Sequence, residues 1–220
     1  MSRIIYANLQ VMAGEKQPTS FVAPTRVEFD FDFEKFLAVL HYFAVRRVPE
    51  LDKYKVCKLL FFADKYHLVR YGRPIVGDRY CPLPHGPVPS HALDLMNEFI
   101  KLESKQCTDK DIQRMSEVLE LQKQFQYPRF IAKRKMGPGE IEALSMSDIE
   151  ALDHVIKTFG GKGFYELKSL THSVYAYKRA VQELTDIRYE DFFEEDADAI
   201  EGAMEEMLEN FELRKAFPPK

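Results

Sequence analysis

The sequence predicts a mainly α fold of the α+β type: a single helix-rich globular domain with a small antiparallel β hairpin. Three observations carry that expectation. Apolar residues recur at helical spacing along most of the 220 residues. Runs with strand character are short and bounded by Pro and Gly. No internal repeat is present, and no alternating βα pattern that would build a parallel sheet.

Residues 1–30 read as an N-terminal extension with short strands. Ile4 to Met12 fits a strand and Gly14 to Ser20 a loop. Val27, Phe29 and Phe31 alternate with Arg26, Glu28, Asp30 and Asp32, the period of a half-buried strand. A helix is expected from Asp32 or Phe33 to about Val48, with Phe36, Leu37, Leu40, Phe43 and Ala44 on one face and Pro49 interrupting it. The next helix runs from about Leu51 to Tyr71, and Gly72 stands at its C-cap. Its middle, VCKLLFFA, is apolar on nearly every side, which predicts a central helix with neighbours all round.

The segment Arg73 to Ser90 is the densest in turn and strand signals. Gly77-Asp78 fits the tip of a hairpin with a type II′ turn, placing Ile75 opposite Tyr80. Pro74 and Pro82 lack backbone donors, so the strands are short. Gly86-Pro87-Val88-Pro89 reads as a rigid corner. A helix then reaches about Leu102 with Leu93, Met96 and Ile100 inward, and another covers 108–124 through Ile112, Met115 and Leu119. Tyr127 to Lys135 has strand character, and MGPGE makes a turn. Ser147-Asp148-Ile149-Glu150 has the capping-box pattern and opens a helix closed by Gly160-Gly161. Residues 164–181 are helical with a break near Thr171. Residues 191–220 form an acidic C-terminal helix, on which Ile200, Met204, Met207 and Phe211 make a seam spaced 4, 3, 4.

Composition narrows the function classes. Hydrophobic residues are 45% and charged residues 30%, with a formal charge of −4, the balance of a soluble globular chain. That charge argues against a nucleic-acid binder working by bulk positive charge, and Arg129, Lys133, Arg134 and Lys135 form the one short basic cluster. No apolar run approaches the roughly 18 residues of a membrane span. The N-terminus lacks the long apolar core of a signal peptide, so the expected location is cytoplasmic. The three cysteines, Cys57, Cys81 and Cys107, form no disulfide framework and no CxxC pair.

Charge is unevenly spread. Glu190 to Glu212 holds eleven acids and no Lys or Arg, leaving 24 acids against 31 bases in the remainder. The segment reads either as a solvated helix face on a complementary body or as a recognition surface for a basic partner.

Catalytic and cofactor motifs are missing. Gly160-Gly161-Lys162-Gly163 has no preceding strand, so it reads as a loop after a helix, not as a phosphate cradle. No cofactor or metal is implied, since HExxH, GxSxG and zinc-ligand spacings do not occur. Asp64 and His67 share a face of the central helix, which admits a catalytic dyad with Cys57 or Cys81 as nucleophile. The competing reading is a buried carboxylate needing a structural partner in His67, Arg73 or Arg79. Arg70, Tyr71, Arg73, Arg79, Tyr80 and His85 make a polar-aromatic group around the expected hairpin. Arg and Tyr are hot-spot residues, so the group reads equally as a docking surface or as a network holding the hairpin.

Two blocks carry a resemblance. The first supplies Leu60, Phe61, Phe62, Ala63, Asp64; His67, Leu68; Tyr71, Gly72, Pro74, Ile75, Gly77, Asp78, Tyr80; and Gly86, Pro87, Val88, Pro89. The second supplies Leu144-Ser145, Asp148, Leu152-Asp153, then Leu167 and Leu170-Thr171-His172. In their order and spacing they resemble the Panacea domain, the SocA-like antitoxin domain also seen in phage-associated proteins. Lys168-Ser169 departs from the family's usual small polar residues, and Tyr177 stands near a frequent Trp.

The resemblance places that domain at residues 31–190 and implies an antitoxin, not an enzyme, that binds a protein toxin from a neighbouring gene. It also admits a proteolytic adaptor that delivers the toxin to a AAA+ protease. A hydrolase or transferase using Asp64 and His67 is the remaining alternative, and nucleic acid and membrane are not expected partners. The candidate toxin-binding residues are Arg70, Tyr71, Arg73, Arg79, Tyr80 and His85, with Met204, Met207 and Phe211 on the tail. Asp64, His67, Gly72, Pro74, Gly77, Asp78, Gly86, Pro87, Pro89, Thr171 and His172 are expected to be structural.

Overall fold

The computed structural model describes residues 26–102, 109–194, 199 and 202–216. Cys107, Ile200 and the strand expected in residues 4–12 lie outside them. In chain order the elements are α1 (Phe33–Val45), α2 (Lys53–Tyr71), β1 (Tyr80–Leu83), β2 (Gly86–Pro89), α3 (Ser90–Leu102), α4 (Lys110–Val118), β3 (Leu119–Gln122), β4 (Arg129–Ala132), α5 (Pro138–Glu142), α6 (Met146–Phe159), α7 (Phe164–Ser173), α8 (Tyr175–Glu183), a 3-10 turn (Tyr189–Phe193) and α9 (Ala203–Ala216). The fold is mainly α with two small antiparallel two-stranded sheets.

Helix α2 is the axis. Asp52 caps it by accepting the Lys55 N–H at 2.8 Å, and Gly72 ends it in the left-handed region at φ 62°. Val56, Leu59, Leu60, Phe61 and Ala63 are all but inaccessible to solvent, as its all-round apolar sequence requires. It packs against α6, α7, α3, α9 and β2. Phe61 meets Phe62, Tyr80 and Phe192 edge to face, and each such burial contributes about 1.5–3 kcal/mol.

The hairpin expected around Gly77-Asp78, with Ile75 opposite Tyr80, does not form: Ile75 lies in no strand, and the observed hairpin is β1–β2, with its tip at Pro84-His85. Tyr80 pairs with Pro89, Cys81 with Val88, Pro82 with Pro87 and Leu83 with Gly86. Gly86 to Pro89 is thus a strand and not a corner. The register explains how three prolines fit. The Ser90 N–H bonds Arg79 O, so hydrogen-bonded pairs fall at Arg79–Ser90 and Cys81–Val88. Pro82, Pro87 and Pro89 occupy the alternate positions, where no cross-strand donor is needed.

Other expectations shift for local reasons. Helix α4 stops at Val118, because Leu119 turns extended at φ −125°, ψ 149° and joins β4, so the helix expected to reach 124 ends in a strand. MGPGE contributes to the short helix α5 rather than a turn. The α6 capping box is Ser145 with Asp148, two residues earlier than the Ser147 pattern. Val27, Phe29 and Phe31 do alternate in burial with Glu28, Asp30 and Asp32, but pair with no strand among the described residues. The break expected near Thr171 falls at Val174, which leaves the helix at ψ 132°.

Helix α9 lies on the body. Met207 and Phe211 are buried and Met204 half-buried, while the backbone at Met207 and the Glu206 side chain close over Gly72. Truncation after Tyr189 removes Phe192, Met207 and Phe211 from the core. It is expected to lower stability by several kcal/mol, at about 1.5–3 per side chain, and chemical denaturation against the full chain measures it. A truncated protein of equal stability would contradict this packing.

Candidate functional site

Asp64 and His67 face different tasks. Asp64 Oδ1 accepts the N–H groups of Ile75 and Val76 at 2.8 and 3.0 Å, and Oδ2 accepts the Tyr80 hydroxyl at 2.9 Å. The carboxyl therefore ties the chain after α2, and the start of β1, to the helix. Burial pushes it up to about 7, against the three donors that lower it. His67 Nδ1 donates to Arg73 O at 2.7 Å and Nε2 accepts from Ser147 Oγ at 2.9 Å. Burial pulls this imidazole down to about 4 and keeps it neutral. Both side chains are fully enclosed, which removes them from a substrate. The Cys57 thiol is likewise buried and raised to about 12, so it is not a nucleophile at neutral pH.

A pH consequence follows. Between about pH 4 and pH 7 folded Asp64 holds a proton that the unfolded chain releases, so its contribution to stability falls as pH rises through that window and levels off above it. His67 acts oppositely: its contribution is present above about 6.5 and lost towards about 4. Subtracting the stability profile of Asp64→Asn from that of the natural protein isolates the Asp64 slope. A flat difference would remove the elevated carboxyl.

Asp148 is a second buried hub. Oδ2 accepts Lys35 Nζ at 2.8 Å and the Ser145 N–H at 2.9 Å, and Oδ1 accepts an Arg73 nitrogen at 3.0 Å. Burial raises this carboxyl, but the Lys35 bond, the Ser145 N–H and the Arg73 charge outweigh it and hold it below the usual range. Asp78 is the third. It accepts the N–H groups of His91 and Ala92 and so caps α3 from outside the helix.

The residues expected to dock a toxin do not share one group of contacts. Arg73 turns inward to Asp148, Tyr71 bonds Glu150 on α6, and Arg70 lies over the Tyr66 ring. Arg79 pairs with Asp186 at 3.7 Å. Tyr80, Met207 and Phe211 are buried, and Met204 packs against the core. A buried side chain cannot meet a partner, so Tyr80, Met207 and Phe211 are corrected to core residues. His85 is exposed at the hairpin tip.

At that tip the two sequence blocks meet. The buried Lys58 donates to Pro87 O at 2.7 Å and lies 4.7 Å from the Tyr54 ring centroid. Burial lowers its ammonium to about 8. Gly86 leaves room for Thr171 Oγ1 and Lys58 Nζ: a Cβ there would lie 2.6 and 3.2 Å from them. His172 stacks on Tyr177 at 4.5 Å, and its buried Nε2 has no hydrogen-bond partner. The Tyr177 hydroxyl donates to Leu83 O at 2.9 Å, anchoring the tip to α8.

Beside the tip opens a cleft of about 750 Å³. Tyr54 and His85 line it with Phe125 and Tyr127 of the β3–β4 loop and Phe164 and Tyr165 of α7. Every exposed Phe or Tyr among the described residues is here: Phe125, Tyr127, Phe164 and Tyr165, the last 83% exposed. Arg129 stacks over Phe125 at 3.7 Å, and Tyr54 packs on Phe164 at 4.4 Å. Sequence reasoning missed this site, because its aromatics come from α2, the β3–β4 loop and α7, far apart in the chain. FQY at 125–127 and FY at 164–165, each beside a turn, were the available signal.

Among the described residues no group of three or more His, Cys, Asp or Glu could hold a metal ion, and no helix is long and apolar enough to cross a membrane. A family model described as antitoxin SocA-like, Panacea domain, matches residues 56–178, more than half of the chain. No curated protein and no solved structure gives a match.

Proposed function

Because the chain belongs to the SocA-like antitoxin family defined by the Panacea domain, we propose that it neutralises a protein toxin encoded by a neighbouring gene through direct binding. The observation that carries the binding reading is the gathering of every exposed Phe and Tyr among the described residues around one cleft. Tyr, Phe and Arg are enriched at binding hot spots, and rigid aromatics lose little entropy on docking. In this reading the chain is a binding protein and not an enzyme. Its buried carboxylates, Asp64, Asp78 and Asp148, hold the scaffold together.

The test is co-expression with the neighbouring toxin, scored by growth rescue and co-purification. The double variant Tyr127→Ala, Tyr165→Ala changes two exposed side chains, so stability is expected to move by about 0.5 kcal/mol or less. Toxin affinity is expected to fall at least about thirtyfold, the effect of losing a hot spot of about 2 kcal/mol. Full affinity in the double variant would exclude the cleft. Rescue that vanishes in a host lacking the AAA+ protease, with binding intact, would favour delivery of the toxin for proteolysis over direct neutralisation.

A further inference from the structure

We propose that the aromatic cleft and the adjoining hairpin tip dock an acidic segment of the partner protein, its apolar side chains on the aromatic faces and a carboxylate at the tip. The inference rests on the binding reading above and names the chemistry of the occupant. The charges of the two regions decide it. Within the cleft, Lys53, Lys55 and Arg129 stand against Glu50 and Asp52. Groups of both signs are engaged within the fold, but Lys53 donates to the Asn97 amide and Lys55 to the carbonyls of Pro49 and Gly160, neutral partners that leave their charges uncancelled. Glu50 pairs with Arg129 at 3.0 Å, and Asp52 accepts the Lys55 N–H as the cap of α2. On α7, Glu166 accepts the Gly163 N–H and pairs with Lys162.

The tip is one-sided. Burial lowers the His172 imidazole most, and the charged and titratable groups acting on it, Lys168, Lys58 and His85, are all basic and lower it further. A partner carboxylate arriving at the tip meets the half-buried Lys168 and the exposed His85. The tip and the cleft are continuous: His85 lines the cleft and meets Phe164 edge to face at 5.6 Å, and Lys168 follows Phe164 by one helical turn. Like charges across an interface cost several kcal/mol, so a basic segment is selected against. The protein's own acids fit this polarity. Glu205, Glu206, Glu209 and Glu212 are exposed on α9, which packs at Gly72, while the cleft begins at the opposite end of α2, roughly 28 Å away for 19 residues.

The experiment is selection of random peptides displayed on phage against the immobilised full chain. Enriched peptides are expected to pair Asp or Glu with Leu, Phe or Tyr. The best of them, labelled with a fluorophore, is titrated by anisotropy. Tyr165→Ala, Lys168→Glu and the peptide's own Glu→Gln form should each weaken it about tenfold or more. Lys101→Glu, an exposed change on α3, should leave it unaltered. Binding should also weaken from about 0.05 M to about 0.5 M salt as screening shortens. Enrichment of Lys/Arg peptides, no enrichment, or indifference to Tyr165→Ala and Lys168→Glu would each overturn the proposal. Failure of the underlying reading is separable from this. A chain that holds the acidic peptide in its cleft but neutralises no toxin keeps this surface and loses the antitoxin role. One that neutralises its toxin unchanged by both variants keeps the role and loses the surface.

Discussion

Replacing Asp64 by Ala is expected to cost about 3–5 kcal/mol. The change strands three buried donors, the N–H groups of Ile75 and Val76 and the hydroxyl of Tyr80, and each unsatisfied group costs about 1–3 kcal/mol. Part of that cost is offset because a buried carboxyl is itself destabilising when ionised. Asp64→Asn tells the two apart. The amide oxygen can still accept the two N–H groups, and its nitrogen can donate to Tyr80, so its cost is expected to be below about 1.5 kcal/mol. Urea denaturation of the three proteins at neutral pH decides it. Equal losses in Ala and Asn would mean that the charge, not the three hydrogen bonds, matters.

The second large effect is expected at Gly77, where Gly77→Val should lose about 3 kcal/mol and lower the melting temperature by about 6–12 °C. Its backbone sits at φ 73°, a region that β-branched residues avoid. A Cβ there would also lie 2.6 Å from Asp30 O and 3.1 Å from Phe29 Cβ. The cause is a close approach between two chain segments, not a hairpin tip. Gly161→Ala is the control, since nothing lies within 4 Å of the added carbon. A melting temperature in Gly77→Val matching that of the control would contradict the approach.

The helices were legible because burial follows their periodicity. The Gly72 cap of α2 and its all-round apolar middle mark its C-terminal end and its central place, while the Asp52 cap is seen only in the structure. The short strands were harder to read. Leu119 and Leu121 continue the apolar pattern of α4, and only pairing with β4 makes them a strand. Gly77-Asp78 has the composition of a hairpin turn, yet its jobs are a close approach to Asp30 and the remote capping of α3 by Asp78. Local sequence cannot distinguish a left-handed glycine in a turn from one at a crossing. The site was least legible. Tyr54, Phe125, Tyr127 and Phe164 are spread over about a hundred residues, and tertiary folding alone brings them to one cleft.

The prolines of the β1–β2 hairpin have a consequence for self-association. At Pro82, Pro87 and Pro89 the missing N–H would have pointed outward, along the free edges of the ladder. Two outward carbonyls are also taken, Pro87 O by Lys58 and Tyr80 O by the Ile187 N–H. A foreign strand laid along either edge finds few donors and occupied acceptors. Slippage by one residue would put prolines where the ladder needs donors, so the hairpin is also locked against sliding. Strand addition, the common route to domain swapping and fibril seeding, is thereby closed at this hairpin. Whatever protein meets the exposed tip must be held by side chains instead of by an extended backbone.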